Sequence, residues 1–308
     1  MTTNPDRRIA VIGLGAMGGA MAATLHRAGW QVTGFDPSES ARAASSDAGL
    51  ATTAVLADLA GTPYVVLSLP AASVVESTVP PLLAAPGAVA IVDTTTSEPG
   101  TSKRMAALAE EHGAAFIDAP VSGGRDGAAT GTLSAFVGAT DAALAAAEPV
   151  LLALTGGKYS HIGAPGSGNV VKLLNNVLAA ANLVSVGEAL GVAKAYGIDP
   201  ATAAASISEA SGGSKVSANM YPNWVLSGTH DSGFSLGLMA RDAALAVEVA
   251  TQIGENPALL AAVAGQWQEA LAVLGPQADF TEIARTVAPA VTPAGAPSTN
   301  APGTTAVA

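Results

Sequence analysis

The chain has 308 residues, enough for two domains and a substantial core. Only 12% of its residues are charged, the formal net charge is −11, and no lysine–arginine cluster occurs, so binding to nucleic acid has no electrostatic support. It has no cysteine, which excludes disulfides, thiolate catalysis and cysteine-ligated zinc, and its four histidines (His26, His112, His161, His230) lack ligand spacing, so no metal is expected.

Arg7-Arg8 before Ile9-Ala10-Val11-Ile12 superficially resembles a signal peptide, but the Gly-rich run that follows fits a nucleotide-binding unit far better. A cytoplasmic protein with no membrane span is expected. Residues 8–12 are predicted as a short buried strand, followed by a glycine-rich turn, a helix to about Ala28 with Gly29 as its stop, and a second strand at 31–35. Further apolar runs at 64–69, 88–92, 115–117, 133–137 and 159–162 read as strands, with helices at 38–48, 99–112 and 141–154. Strands that alternate with helices and are apolar on both faces predict a mostly parallel, doubly wound sheet. After Gly163-Ala164-Pro165-Gly166 the strand pattern stops. A long apolar helix is expected from about Val170 to Ala195, with Gly197 just past its end, then helices at 201–210, 221–226, 238–253 and 257–274. The fold class is therefore α/β: a Rossmann-type doubly wound sheet (1–164), then an all-helical domain (165–288) joined through the long helix. The Pro/Ala/Thr-rich end (289–308) reads as a disordered tail.

Gly13-Leu14-Gly15-Ala16-Met17-Gly18 has the context that a G-x-G-x-x-G needs: a strand before it, a helix after it, and an acid at the end of the next strand. The first glycine permits the tight turn, the second lets the backbone approach a pyrophosphate, and the third lets helix and strand pack closely. Asp36 follows Gly18 by 18 residues, near the ~20 expected of the acid that binds the ribose hydroxyls. Its carboxylate would repel a 2′-phosphate, so NAD is expected over NADP. Arg42 argues the reverse but lies several residues into the next helix.

Lys172, Asn175 and Asn176 stand at i, i+3 and i+4 in the first turns of the long helix, which predicts one shared face. A lysine amid valines and leucines is either a snorkelling side chain or a functional one; desolvation would lower its pKa toward the range of an acid/base catalyst. Ser122-Gly123-Gly124 offers a hydroxyl and backbone N–H donors for an anion, or is an ordinary glycine-rich turn. Arg125 and Lys215 read as solvated loop charges, and Trp224, Trp267 and Phe234 as core or subunit-interface residues.

Over about 8–274 the chain resembles the β-hydroxyacid dehydrogenase family, that of 3-hydroxyisobutyrate dehydrogenase and tartronate semialdehyde reductase. The glycine-rich motif at 13–18 resembles the family's nucleotide motif. Asp118-Ala119-Pro120-Val121-Ser122-Gly123-Gly124 is similar to its substrate motif, which implies that Ser122 and the N–H groups after it hold a carboxylate. Gly168-Asn169-Val170-Val171-Lys172-Leu173-Leu174-Asn175-Asn176 resembles its catalytic motif, which implies Lys172 as acid/base, Asn176 as its partner and Asn175 as a substrate contact. Leu238-Met239-Ala240-Arg241-Asp242 resembles a motif in which the family usually has lysine before the aspartate; Arg241 keeps the charge without titrating, so a cofactor contact survives the change. The resemblance also suggests cofactor contacts from Leu69-Pro70 and from Thr96. It implies hydride transfer between NAD and a small 3-hydroxy acid, or its semialdehyde; separately, the long apolar helix and the all-helical second domain suggest a subunit interface, hence a homodimer or homotetramer. 3-Hydroxyisobutyrate, serine, glycerate and threonate all fit, and Arg125 and Lys215 leave room for a sulfonate.

Four other readings compete, one of them a decarboxylating phosphogluconate dehydrogenase, which is related but typically longer and has histidine where Asn175 stands. A short-chain dehydrogenase needs tyrosine four residues before lysine, and no tyrosine here is so placed. Imine reductases share the architecture but replace the lysine. A non-catalytic NAD-binding interaction module on a degenerate fold would lose Lys172 as well.

Overall fold

The frame of the fold is a strand with no polar side chain past its first residue. In the computed structural model, which describes residues 7–289 and 291, β1 (Arg8–Ile12) is buried from Ile9 onward. Ile9 and Val11 enter one hydrophobic core while Ala10 and Ile12 enter another. That is the period-2 alternation of a strand covered on both faces. The chain divides into two compact units, Met1–Asn175 with Glu248–Gly254, and Asn176–Val247 with Glu255–Ala308.

In the first unit the elements follow as α1 (Ala16–Arg27), β2 (Gln31–Phe35), α2 (Glu39–Asp47), β3 (Ala51–Thr53), β4 (Tyr64–Leu67), α3 (Ala72–Leu82), β5 (Ala90–Asp93), α4 (Pro99–Glu111), β6 (Ala115–Asp118), β7 (Val121–Ser122), α5 (Gly124–Thr130), β8 (Ser134–Gly138), α6 (Asp141–Thr155), β9 (Tyr159–Gly163) and the start of α7 (Ser167–Ala195). The strands form one sheet in the order β3-β2-β1-β4-β5-β6-β8-β7, with β9 pairing β8. From β3 to β6 all neighbours are parallel, and β8 runs antiparallel to β6 and β7. The strand order reverses between β1 and β4, the switch point outside which doubly wound sheets bind ligands. Residues of α1 and α6 join Ile9 and Val11 in one core, and residues of α3 and α4 join Ala10 and Ile12 in the other. The predicted sheet and its two helical layers are thus present. Strands β3 and β7, helix α3 and the short helix α5 have no counterpart among the elements expected from the sequence.

The second unit is helical: α7 from Asn176 on, α8 (Pro200–Ser208), a π-helix (Val216–Leu226), α9 (Leu236–Gln252, to Val247 in this unit), α10 (Ala258–Leu274), a 3-10 turn (Phe280–Ile283) and α11 (Ala284–Val287). The helix expected at 221–226 is the second half of the π-helix. Trp267 is fully buried, stacks 6.4 Å from Phe280, and donates its indole N–H to Ala180 O at 3.3 Å. Phe280 in turn meets Phe234 edge-on at 5.6 Å. Tyr221 donates its hydroxyl to Leu183 O at 2.7 Å, against a helix face where Gly187 leaves room for it. Helix α7 begins three residues earlier than expected, and by length and composition it could cross a membrane. Its bonds to Trp267 and Tyr221 are those of a helix packed in a protein core. The tail expected from residue 289 lies, from residue 292 on, outside the described residues.

Candidate active site

The turn after β1 is tight and depends on its glycines. Gly13 has φ +91 and donates its N–H to Phe35 O at 2.8 Å, and a Cβ there would strike Ser68 O. A Cβ on Gly18 would strike Gly13 O, so α1 can lie against the turn only with glycine at this position. Gly15 differs: a Cβ there would meet nothing within 4 Å, and as N-cap of α1 it offers no side-chain cap. Open space at the uncapped positive end of a helix suits a pyrophosphate. Leu14, Ala16 and Met17 complete the turn.

Asp36, just past β2, accepts Leu14 N–H through Oδ2 and Ser38 N–H through Oδ1, both at 2.8 Å. Arg42 corrects the sequence reading that set it aside. From the second turn of α2 it folds back, and its Nη1 donates to the carbonyls of Asp36 at 2.7 Å and Pro37 at 3.0 Å. A cation therefore stands beside Asp36. The two turns expected at the cofactor's edge are tied together as Leu69 N–H donates to Thr95 Oγ1 at 3.1 Å. Thr95 supplies this tie; Thr96 next to it is half-buried, and Pro70 is exposed.

Asp118, the last residue of β6, is fully buried, and its carboxylate reaches the start of α7. Oδ1 accepts Gly166 N–H at 2.6 Å and Oδ2 accepts Asn169 N–H at 2.9 Å. Asn169, itself fully buried, accepts Ser97 N–H at 2.9 Å and donates to Ser102 Oγ at 3.1 Å. Burial pushes the Asp118 carboxyl up to about 6 against the pull of these N–H donors. Asp93, paired with Asp118 in the register of β5 and β6, is pushed up to about 7, first by burial and further by its neighbour's charge. Its Oδ1 accepts Thr95 N–H at 3.0 Å, while Oδ2 meets no partner among the described residues. Gly138 and Gly168 have no Cβ to intrude: one on Gly168 would strike Phe136 O and lie 2.8 Å from Asp118 O. Asp118 and Asn169 both fall within the motifs at 118–124 and 168–176, which alone imply no role for either. Asp118 ends a strand and Asn169 lies in the first turn of α7, and no local pattern pairs them because their partners lie far away in sequence.

Lys172 stands one turn beyond Asn169 and is 9% exposed. Asn176, a turn further, is buried and donates its amide N–H to Asp242 Oδ2 at 2.7 Å. Asp242, 1% exposed, also accepts from Arg241 Nε at 3.0 Å and Nη2 at 2.7 Å on Oδ1. Arg241 thus braces the acid that holds Asn176, a link that the sequence reading did not include. Asn175 is exposed while Lys172 and Asn176 are buried, which departs from the expected single face. Ser122 ends β7 half-buried, and Gly123 and Gly124 follow with φ +123 and +61, exposed, as the backbone turns into α5. Arg125 and Lys215 are both exposed. Among the described residues there is no cluster that could hold a metal.

Residues 8–163 match the family model described as the NAD binding domain of 6-phosphogluconate dehydrogenase. Residues 166–287 match the one described as NAD-binding of NADP-dependent 3-hydroxyisobutyrate dehydrogenase. The chain is 35% identical to 2-(hydroxymethyl)glutarate dehydrogenase of Eubacterium barkeri over 84% of its own length and 87% of the relative's. It is 36% identical to an NAD-dependent L-serine dehydrogenase of Pseudomonas aeruginosa, with 79% and 85% covered. Among solved structures, the 3-hydroxyisobutyrate dehydrogenase of Mycobacterium tuberculosis with L-serine superposes with a TM-score of 0.83 at 31% identity, covering 91% of this chain and 98% of that one. An imine reductase of Streptomyces aurantiacus, at 24% identity and TM-score 0.61 with 91% and 99% covered, shares the fold. With both halves matched and relatives this similar over most of its length, the chain belongs to the β-hydroxyacid dehydrogenase family of NAD-dependent oxidoreductases.

Proposed function

We propose that the protein oxidises a small 3-hydroxy acid with NAD, or reduces the matching semialdehyde, with Lys172 as acid/base. The observation that carries this reading is the burial of Lys172 on a helix bonded to Asp118, four residues ahead of Ser122 in the same segment. Ser122 and the N–H groups of Gly123 and Gly124 hold the substrate's anion. When bound, NAD supplies the two-electron acceptor for the carbinol carbon. In oxidation the neutral amine of Lys172 takes the hydroxyl proton; in reduction its ammonium returns a proton to the carbonyl oxygen. Asn176, locked by Asp242, orients the ammonium without adding a charge. An anion and an alcohol held by different elements call for separation along the substrate, which favours a 3-hydroxy over a 2-hydroxy acid.

Asp36 favours NAD over NADP, and the nearby Arg42 keeps that preference from being absolute. The stretches 1–164 and 165–288 serve as NAD-binding and helical domains; the two family models meet between residues 163 and 166, which supports that division. A homodimer or homotetramer in the cytoplasm is part of the same proposal. Leu174, Leu178 and Val192, 42%, 56% and 63% exposed at helical spacing along α7, and Tyr196, 86% exposed just past its end, support a self-associating face.

The test is a side-by-side assay with NAD and NADH. It takes 3-hydroxyisobutyrate, serine, glycerate, threonate, their aldehydes, a C3 sulfonate, lactate and cyclic imines. Turnover among the 3-hydroxy acids or their aldehydes is expected. Turnover confined to lactate would overturn the positional reading, and turnover confined to imines would make the protein an imine reductase.

A further inference from the structure

We infer that Asp118 and Asn169 are positioning residues that set where Lys172 stands relative to both ligand-binding turns. The inference rests on the assignment of Lys172 as acid/base. Three segments converge on the first turn of α7. The strand end that leads through Pro120 and Val121 to Ser122 is tied by Asp118, through Gly166 N–H at 2.6 Å and Asn169 N–H at 2.9 Å. The turn that carries Thr96 is tied through Ser97 N–H to Asn169 Oδ1 at 2.9 Å. Helix α4 is tied where Asn169 donates to Ser102 Oγ at 3.1 Å. Asn169 therefore satisfies both ends of its amide and its backbone N–H, with no freedom left to rotate.

The geometry reaches beyond ordinary capping. A helix start can be capped by a local serine or threonine; here the cap is a carboxylate 48 residues back in sequence, in the segment that also presents the anion-binding serine. Lys172 lies three residues past Asn169, so a shift or rotation at that point moves its ammonium directly. Gly168 and Gly138 let the backbones close in until a Cβ on either would collide with its neighbours. The junction is thus tight and polar and sits one turn from the lysine. Acid/base transfer needs donor and acceptor within hydrogen-bond reach, and a displacement on the order of 1 Å is costly in rate.

The test is a double-mutant cycle on the full chain with its best hydroxy acid and NAD. Asp118→Asn presents an amide N–H to one of the two backbone donors and should lower kcat at least about tenfold. KM and the NAD dissociation constant, read by fluorescence titration, should stay within about twofold of wild type. If Asp118 acts through Lys172, adding Asp118→Asn to Lys172→Ala should leave the residual rate unchanged. Ser102→Ala, a milder cut at the same junction, should lower kcat by a few fold and lose that effect in the Lys172→Ala background; it decides the matter where Asp118→Asn fails to fold. A folded Asp118→Asn with wild-type kcat, or an equal loss with and without Lys172, overturns the inference alone. Wild-type turnover in Lys172→Ala overturns the acid/base reading and the inference together.

Discussion

Two aspartates in the first unit do the same thing in different surroundings. Asp36 follows β2 and Asp118 ends β6, and each accepts two backbone N–H bonds at the C-terminal edge of the sheet. Asp36 is half-buried and bonds to the glycine-rich turn and to the residue that caps α2, so its outer side can meet a ribose. Asp118 has no access to solvent, and all it can hold is the protein itself. The same contact type thus leaves one carboxylate open to a ligand at the edge and locks the other inside the protein. Burial alone separates the two roles, and it raises the Asp118 carboxyl to about 6 as it does so.

Glycine substitutions give the largest break in this comparison. Gly168→Ala forces a methyl into Phe136 O and Asp118 O, backbone atoms that cannot step aside. It should cost at least about 2 kcal/mol of stability, read by denaturant unfolding, and should remove most turnover. Gly15→Ala, at the corresponding helix start beside Asp36, meets no protein atom within 4 Å. It should leave the unfolding curve in place while weakening NAD about tenfold, or ~1.4 kcal/mol, in a titration. Equal stability losses for the two would erase the distinction.

A pH series sharpens it next. Asp93 has its folded pKa raised from 3.8 to about 7, so between those values the folded protein binds more proton than the unfolded chain. Stability from this group is therefore greatest below about pH 4 and is lost as pH rises toward 7 and above. Asp93→Asn removes that dependence. Relative to wild type it should gain stability between pH 5 and pH 8, by up to roughly 4 kcal/mol. A pH-independent difference between the two proteins would contradict the buried-acid account.

The smallest expected effect is at the exposed edge. Asp36→Ala should narrow the preference for NAD over NADP by about tenfold, ~1.4 kcal/mol, as ratios of kcat/KM. Arg42, bonded to the Asp36 carbonyl, is the nearby cation that a 2′-phosphate would then meet. A wild-type protein that prefers NADP tenfold would overturn the reading of Asp36.

The edge was legible in the sequence because its signals are local. Gly13, Gly15, Gly18 and Asp36 belong to one strand–turn–helix–strand unit, which spacing alone reveals and from which their proposed parts follow. Seven of the nine strands were legible for the same reason, each being a short apolar run. What escaped depends on contacts across the sequence. Asp118 and Asn169 meet 51 residues apart, and Asn176 and Asp242 meet 66 apart. Strand β7 and helix α5 are short and polar, and their glycines read equally well as a turn. Asn175 was misplaced because a spacing of three and a spacing of four diverge by about 100° around a helix. Lys172 and Asn176 are buried, and Asn175 is not.

The central claim, that Lys172 is the acid/base for a 3-hydroxy acid, is tested most directly by steady-state turnover of Lys172→Ala with NAD across pH. The substrate is the best one found for the wild type. The account expects kcat at least ~10²-fold below wild type, with NAD still bound, and loss of the rise in oxidation rate that wild type shows toward alkaline pH. A Lys172→Ala protein that turns over as fast as wild type, with the same pH profile, would contradict it.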